Sequence, residues 1–205
     1  MIERYTYRER LCHWMGALTF VYCLLTGLAF YSPYLFWIAT MLGGGPTSRY
    51  WHPFAGIGFI LVQVWMDALW KRDMIVTETD KVWLKHTEEY ASNRDGSVPP
   101  QGRFNAGQKI FYWGIVGAAI LLLISGLVMW FPERIPFGIA WVRELAIFIH
   151  EGAALIAIGL FIIHVYMSVF LVPGSTTAMV RGYVPAAWAR IHHRLWYDRV
   201  HERVR

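Results

Sequence analysis

The chain has 205 residues, 56% of them hydrophobic, 17% aromatic and only 16% charged, with a formal net charge of +5. Soluble domains carry about 25% charged residues, so this composition excludes an ordinary soluble enzyme and describes a membrane protein. The basic excess is met by membrane topology and anionic head groups and calls for no nucleic acid.

The N-terminus, MIERYTYRERLCHW, places charges before an apolar run, the pattern of a secretory signal. The apolar part exceeds a signal core, Cys12 and His13 stand at its start, and no small-residue cleavage site follows, so a retained first helix near 11–31 is expected. The next apolar stretch, Pro33–Gly45, is short and ends in Gly43-Gly44-Gly45-Pro46, which suits an interfacial segment rather than a further span. A second helix is expected near 53–70, with His52 at its start and Asp67 near its end, paired with a neighbouring base. The polar stretch Arg72–Gln108, with Ser97-Val98-Pro99-Pro100, reads as a connector without catalytic chemistry of its own. Helices near 110–131 and 147–172 complete the set, and a tail covers 173–205. Each run is long enough to cross a hydrocarbon core of about 30 Å. Trp14, Trp37, Trp51, Trp70, Trp113, Trp130 and Trp141 cluster near the proposed ends, as an aromatic belt does. The expectation is an all-α, integral membrane four-helix bundle, one domain over 1–205.

Sixteen of the 19 Lys and Arg fall in the N-terminal tail, the middle loop (Arg94 among them) and the C-terminal tail (including Arg203 and Arg205). Only Arg49, Arg134 and Arg143 lie on the other side. The positive-inside rule then makes both termini and the middle loop cytoplasmic. Cys12 and Cys23 are eleven residues apart on one helix, too far to form a disulfide with each other, and read as structural thiols. Without a Cys-x-x-Cys-His motif, covalent haem attachment is excluded.

The stretch 150–164, HEGAALIAIGLFIIH, carries a histidine at each end. Fourteen residues of α-helix turn to about 40° short of four full turns and rise about 21 Å. His150 and His164 therefore share a face at two depths, with the small Ala157 midway on it, a geometry suited to two stacked haems. His52 stands near the outer level of His150, and His13 near the inner level of His164. The expected axial pairs are His52 with His150 and His13 with His164. A single histidine at a helix end is commonly an interfacial residue; four at matched depths argue for ligands, since ionisable groups within a membrane are costly. No depth gathers the three or four ligands of a zinc site. His86, His192, His193 and His201 read as solvated or head-group contacts, and Glu151 either accepts a hydrogen bond from a ligand or faces outward. Gly16, Gly27 and Gly56 could admit a porphyrin or close helix packing, Gly27 most suggestively because it follows His13 by the same fourteen residues.

With these residues placed, the chain resembles the gamma subunit of membrane-bound respiratory formate dehydrogenase, a dihaem cytochrome b. The likeness rests on Arg10-Leu11-Cys12-His13-Trp14, Trp51-His52-Pro53, Arg103-Phe104-Asn105-Ala106-Gly107-Gln108-Lys109, the His150/His164 pair, and the tail from Met179-Val180-Arg181-Gly182-Tyr183-Val184 to Trp188-Ala189-Arg190. The histidines alone also fit cytochromes b of hydrogenases or other periplasm-facing oxidoreductases. A histidine-lined metal transporter is the reading from another class.

The resemblance implies two haem b, with electrons received from an iron–sulfur subunit at the outer haem and passed through the inner haem to menaquinone or ubiquinone. It implies a quinone pocket of Asn105, Gly107 and Gln108 with His164. From the residues themselves, Asn-Ala-Gly-Gln reads equally as a helix cap, and the cap stands ahead. The resemblance further implies a bacterial inner-membrane location with the donor side periplasmic, a partner subunit that oxidises formate, quinone reduction as this subunit's share of the activity, and room for a higher oligomer of the complex.

Overall fold

The computed structural model describes residues 1–92 and 98–202. Arg94, Ser97, Arg203 and Arg205, used above in reading the loop and the charge balance, lie outside the described residues. The fold is an all-α bundle.

Among the described residues, four helices are long and apolar enough to cross a membrane: α1 (Tyr7–Tyr31), α3 (Gly45–Trp70), α6 (Ala106–Trp130), and α7 (Trp141–Tyr166) with its continuation to Leu171. All four begin earlier than the apolar runs suggest, because polar first turns belong to the helices. At α1, Thr6 N–H donates to Glu9 Oε2 at 2.8 Å while Glu9 N–H donates to Thr6 Oγ1 at 3.4 Å, a reciprocal capping box. At α6, Asn105 N–H donates to Gln108 Oε1 at 3.0 Å and Gln108 N–H to Asn105 Oδ1 at 2.9 Å. The same device, from Thr77 and Asp80, opens the short helix α4 (Glu78–Leu84) of the middle segment, which α5 (Thr87–Ala91) follows.

Helix α3 starts after Gly43 and Gly44, both at positive φ, and carries Pro46 in its first turn, where the missing N–H costs nothing. Pro53 lies inside it, so His52 sits about two turns into the helix rather than at its start. Between α1 and α3, the interfacial stretch forms a 3₁₀ turn at Pro33–Leu35 and the short helix α2 (Trp37–Met41). Helix α7 ends in a π-helical turn, Met167–Leu171, in which Val172 N–H reaches back to the Met167 carbonyl at 2.9 Å. Short helices α8 (Ser175–Arg181), α9 (Ala186–His192) and α10 (Arg194–Glu202) make up the tail.

The all-α reading missed one two-stranded ladder: β1 (Ile2–Glu3) pairs antiparallel with β2 (Tyr183–Val184), Ile2 facing Val184. Gly182, at φ +91°, makes the turn before β2, and its carbonyl receives the N–H groups of Arg4 and Tyr5 at 2.7 and 3.1 Å. A Cβ there would lie 2.9 Å from the Tyr5 carbonyl oxygen, so both the turn and the close approach require glycine.

The chain forms two compact units. One comprises Leu11–Met66 and Gly114–Leu160; the other comprises Met1–Arg10, Asp67–Trp113 and Phe161–Arg205. In the first, small residues fill the interior (Thr26, Ala29, Ala39, Ala118, Ala119, Ala153, Ala157), while Leu18, Leu61, Ile124 and Phe148 point outward. An apolar outside with a small-residue inside is the arrangement of helices packed in lipid. In the second unit, Trp83, Tyr90, Ala106 and Val172 form a core against which Met167, Leu171 and Trp188 pack.

Candidate functional site

In the unit of residues 11–66 and 114–160, His52 on α3 and His150 on α7 face one another with ring centres 6.3 Å apart. Two metal–imidazole bonds of about 2 Å, with roughly 1.1 Å from ring centre to nitrogen on each side, place ring centres about 6.2 Å apart around one metal. The pair therefore fits a single iron held from both sides.

The hydrogen bonds around the rings set their tautomers. Thr26 Oγ1 donates to the Tyr22 carbonyl at 2.8 Å, which leaves its lone pairs to accept Nδ1–H of His52 at 2.7 Å. Ser125 does the same on α6: its hydroxyl donates to the Leu121 carbonyl at 2.6 Å and accepts Nδ1–H of His150 at 2.9 Å. Each imidazole is thus held with its proton on Nδ1 and the Nε2 lone pair available to a metal. Thr26 is fully buried and Ser125 nearly so. Glu151 is exposed and Ser125 occupies the Nδ1 position of His150, which decides between the two readings of that carboxylate.

Gly27 stands where an added Cβ would lie 3.8 Å from His52 Cε1, an ordinary contact. The tighter glycine is Gly126, where a Cβ would come within 3.2 Å of His150 Cε1. Gly16 instead admits Val62 and Met66, helix packing without a ligand role, and a Cβ at Gly56 would meet nothing within 4 Å. Both thiols are free, Cys12 Sγ reaching the Val62 carbonyl and Cys23 Sγ the His52 carbonyl, in keeping with structural cysteines. His13, half-buried, packs edge-on against Trp14 in this same unit.

His164 belongs to the other unit, where its ring stacks on Phe111 at 4.4 Å and nearly parallel. Asn105, Gly107 and Gln108 stand at the start of α6 there. The Asn105 side chain is buried: its oxygen closes the cap and its Nδ2 donates to Tyr90 Oη at 3.2 Å. Gln108 is less buried, and only its side-chain oxygen is used in the cap. At Gly107 a Cβ would meet the Trp83 ring and Asn105 Oδ1, both at 3.4 Å. The capping reading of Asn-Ala-Gly-Gln is therefore realised, and it leaves the Gln108 amide as the group with donors to offer.

Charged residues brace this unit. Lys109 Nζ lies 2.7 Å from Asp80 Oδ2, both side chains less than a tenth exposed, and also donates to the Ile75 carbonyl at 2.9 Å. Burial disfavours ionisation of Asp80, but the hydrogen bonds from Lys109 and Thr77 outweigh it and hold the carboxyl below its usual range. Arg103 binds Glu9 at 2.7 Å and Asp73 at 3.1 Å, and Trp70 Nε1–H donates to Glu9 Oε1 at 2.6 Å. Asp67 does have the neighbouring base expected of it, Lys71 at 3.7 Å, but its closer partner is Tyr112, whose hydroxyl donates to Oδ1 at 2.6 Å.

His193 corrects the reading of it as a solvated residue. It is 2% exposed, its Nδ1–H donating to the Gly102 carbonyl at 2.8 Å and its Nε2 accepting from Arg4 at 3.2 Å. Burial, reinforced by the Arg4 charge, pushes its pKa well below the ordinary value. Arg4 is equally buried, its guanidinium 4.7 Å from the Trp196 ring centre and bonded to the Arg103 carbonyl.

Residues 4–182 match the family described as prokaryotic cytochrome b561. The chain belongs to that family. It is 32% identical over 200 residues to the nitrate-inducible formate dehydrogenase cytochrome b556(Fdn) subunit of Escherichia coli, covering 98% of this chain and 92% of the relative. It is 34% identical over 200 residues to the formate dehydrogenase cytochrome b556(fdo) subunit of the same organism, covering 97% and 93%. The formate dehydrogenase cytochrome b556 subunit of Haemophilus influenzae is 31% identical over 196 residues, covering 96% and 82%. Membership of the b561 family together with four membrane-capable helices makes this an integral membrane cytochrome b of the electron-transport class. Of the groups touching the candidate site residues, sequence reasoning missed Thr26, Ser125 and Gly126 around the histidines, and Trp83 and Tyr90 beside Asn105.

Proposed function

We propose that this cytochrome is the dihaem b electron-transfer and membrane-anchor subunit of a formate dehydrogenase, carrying electrons from an iron–sulfur partner to quinone. The observation that supports it most is the His52/His150 pair, spaced for one iron and held in the metal-binding tautomer by Thr26 and Ser125. The formate partner is inferred from relatives named as formate dehydrogenase subunits that align along nearly the whole chain. A histidine-lined transporter is disfavoured: among the described residues, no group of three or more His, Cys, Asp or Glu could hold a metal ion.

His52 and His150 would hold the outer haem b, and His13 and His164 the inner one, the second pairing resting on helix depth read from the sequence. Bound in this way, haem b supplies one-electron transfer. With two of these histidines given to each haem, the chain would leave no room for oxygen or substrate and would confine the chemistry to electron carriage. Thr26 and Ser125 would keep both outer imidazoles oriented, with Nε2 toward the metal, and basic. Gln108, with its amide donors, would position a quinone carbonyl beside His164 and Phe111, while Gly107 admits the Trp83 ring and the Asn105 oxygen beside the cap.

With both termini and the basic loop in the cytoplasm of a bacterial inner membrane, electrons would travel from the periplasmic to the cytoplasmic side. Crossing the full potential costs about 2.3 kcal/mol per electron for each 100 mV, and this work is conserved when the quinone takes its protons from the cytoplasm.

The test is a haem count with histidine variants. The assembled protein should hold two non-covalent b haems by pyridine haemochrome. His150→Ala should lose one haem and the reduction of the chain by its partner, while quinol still reduces the remaining haem. His164→Ala should lose the other haem and nearly all quinone reduction. An assembled His164→Ala protein with both haems and full quinone turnover would refute the two-depth arrangement, and copurification with a hydrogenase rather than a formate-oxidising subunit would refute the partner.

A further inference from the structure

The described residues place one carboxylate where water and the proposed quinone face meet. Asp67 stands at the end of α3, its side chain 34% exposed, with Lys71 one turn further on at 3.7 Å. Its Oδ1 accepts the 2.6 Å hydrogen bond of Tyr112, whose side chain is buried. Tyr112 follows Gln108 by four residues on α6, so the phenol and the amide share one helix face a single turn apart. Phe111, between them, is the residue stacked on His164. The phenol therefore joins a partly exposed acid to the face that carries Gln108. Lys71, in the turn just past α3, and Tyr112 from α6 are the titratable groups facing Asp67 among the described residues.

We propose that Asp67 and Tyr112 are the proton relay for quinone reduction, an inference that rests on the quinone reading above. Quinone becomes quinol by taking two electrons, delivered along the chain from the donor, and two protons, which this pair conveys singly. Asp67 takes a proton from water on the side of the basic loop, and the hydrogen bond to Tyr112 then reverses. The Tyr112 O–H bond breaks as its proton passes to the reduced quinone oxygen, and the Asp67 proton moves to the phenolate oxygen. Asp67 is again a carboxylate and Tyr112 again a phenol, so one cycle moves one proton and two cycles complete the quinol.

The relay separates proton-coupled from purely electronic oxidation, and the experiment uses that difference. The full-length chain carrying its haems, in detergent or vesicles, is reduced with dithionite and mixed rapidly either with a water-soluble naphthoquinone or with ferricyanide, which takes electrons without protons. Asp67→Asn and Tyr112→Phe should each slow haem reoxidation by the quinone about tenfold or more, with ferricyanide oxidation and haem spectra unchanged. Asp67→Glu should restore most of the quinone rate, a small weak acid should partly rescue Asp67→Asn, and the double variant should be no slower than either single one. Reduction-induced infrared spectra should show a protonated-carboxyl band that Asp67→Asn lacks. If either single variant keeps the wild-type quinone rate, or is slowed equally with ferricyanide, the pair is a structural tether and the relay is wrong. If wild-type haems react with ferricyanide but never with quinone, the quinone reading fails, and the relay with it.

Discussion

The histidine pair of one unit and the ion-paired unit containing Asp80 and Arg103 handle buried polarity in opposite ways. Around His52 and His150, the polar partners are neutral hydroxyls that satisfy their own helix carbonyls and accept one imidazole proton each. Nothing in that arrangement requires a buried net charge, which suits helices whose outer faces meet lipid. In the other unit, Lys109 with Asp80 and Arg103 with Glu9 and Asp73 are full charges, each compensated within hydrogen-bond distance. The difference teaches that the region proposed to hold a haem is preorganised by neutral hydroxyl partners, while the region proposed to bind quinone is stiffened by ion pairs.

The contrast breaks most severely at the charges. Asp80→Asn or Lys109→Met alone leaves a buried group without its counterpart, and thermal unfolding of the purified protein should show a loss of about 3–5 kcal/mol. Replacing both together should recover much of that loss. Equal stability of the single and wild-type proteins would mean that the pair does not brace the unit.

A smaller effect is expected at the hydroxyls. Thr26→Val and Ser125→Ala preserve packing but free Nδ1–H of one histidine, and should weaken haem retention by about 10–100-fold and shift that haem's potential, without loss of the fold. Competition with apomyoglobin and a redox titration would read both effects. An unchanged potential in both variants would remove the tautomer-setting role.

The smallest effect is pH-linked. His193 is neutral in the folded chain, whereas in the unfolded chain it titrates near 6.5. The unfolded state therefore binds more protons as the pH falls, so stability is fully present above about pH 6.5 and declines below it, by at most about 1.4 kcal/mol per pH unit. His193→Gln should flatten that slope between about pH 7 and 5.5 in denaturation curves; an unaltered slope would assign the acid sensitivity elsewhere.

Much of the fold is legible in the sequence because a span announces itself by length and composition, and a helix stripe by arithmetic. The spacing of His150 and His164, and the level of His52, need no tertiary information. Helix starts were harder to read, since Pro53 looks like a beginning and Arg143 and Glu144 look like a loop, yet all three lie within helices. Thr26 and Ser125 gave no signal, because a hydroxyl in an apolar helix usually bonds only its own preceding carbonyl. His193 was misread because its partner Arg4 lies 189 residues away and no local pattern connects them. The Asn-Ala-Gly-Gln motif shows the reverse case: the cap was readable from residue types alone, while Tyr90 and Trp83, which surround it, come from a polar loop without periodicity.

The ladder between Ile2–Glu3 and Tyr183–Val184 also has a consequence for biosynthesis. At about 5–20 residues per second, roughly ten to forty seconds of translation separate the two strands. Throughout that interval Ile2 and Glu3 have no strand to pair with, although α1 can already be in the membrane. The two strands can therefore pair only after α7 has been made, and a bulky group fused just before Ile2 would obstruct that pairing while sparing insertion itself.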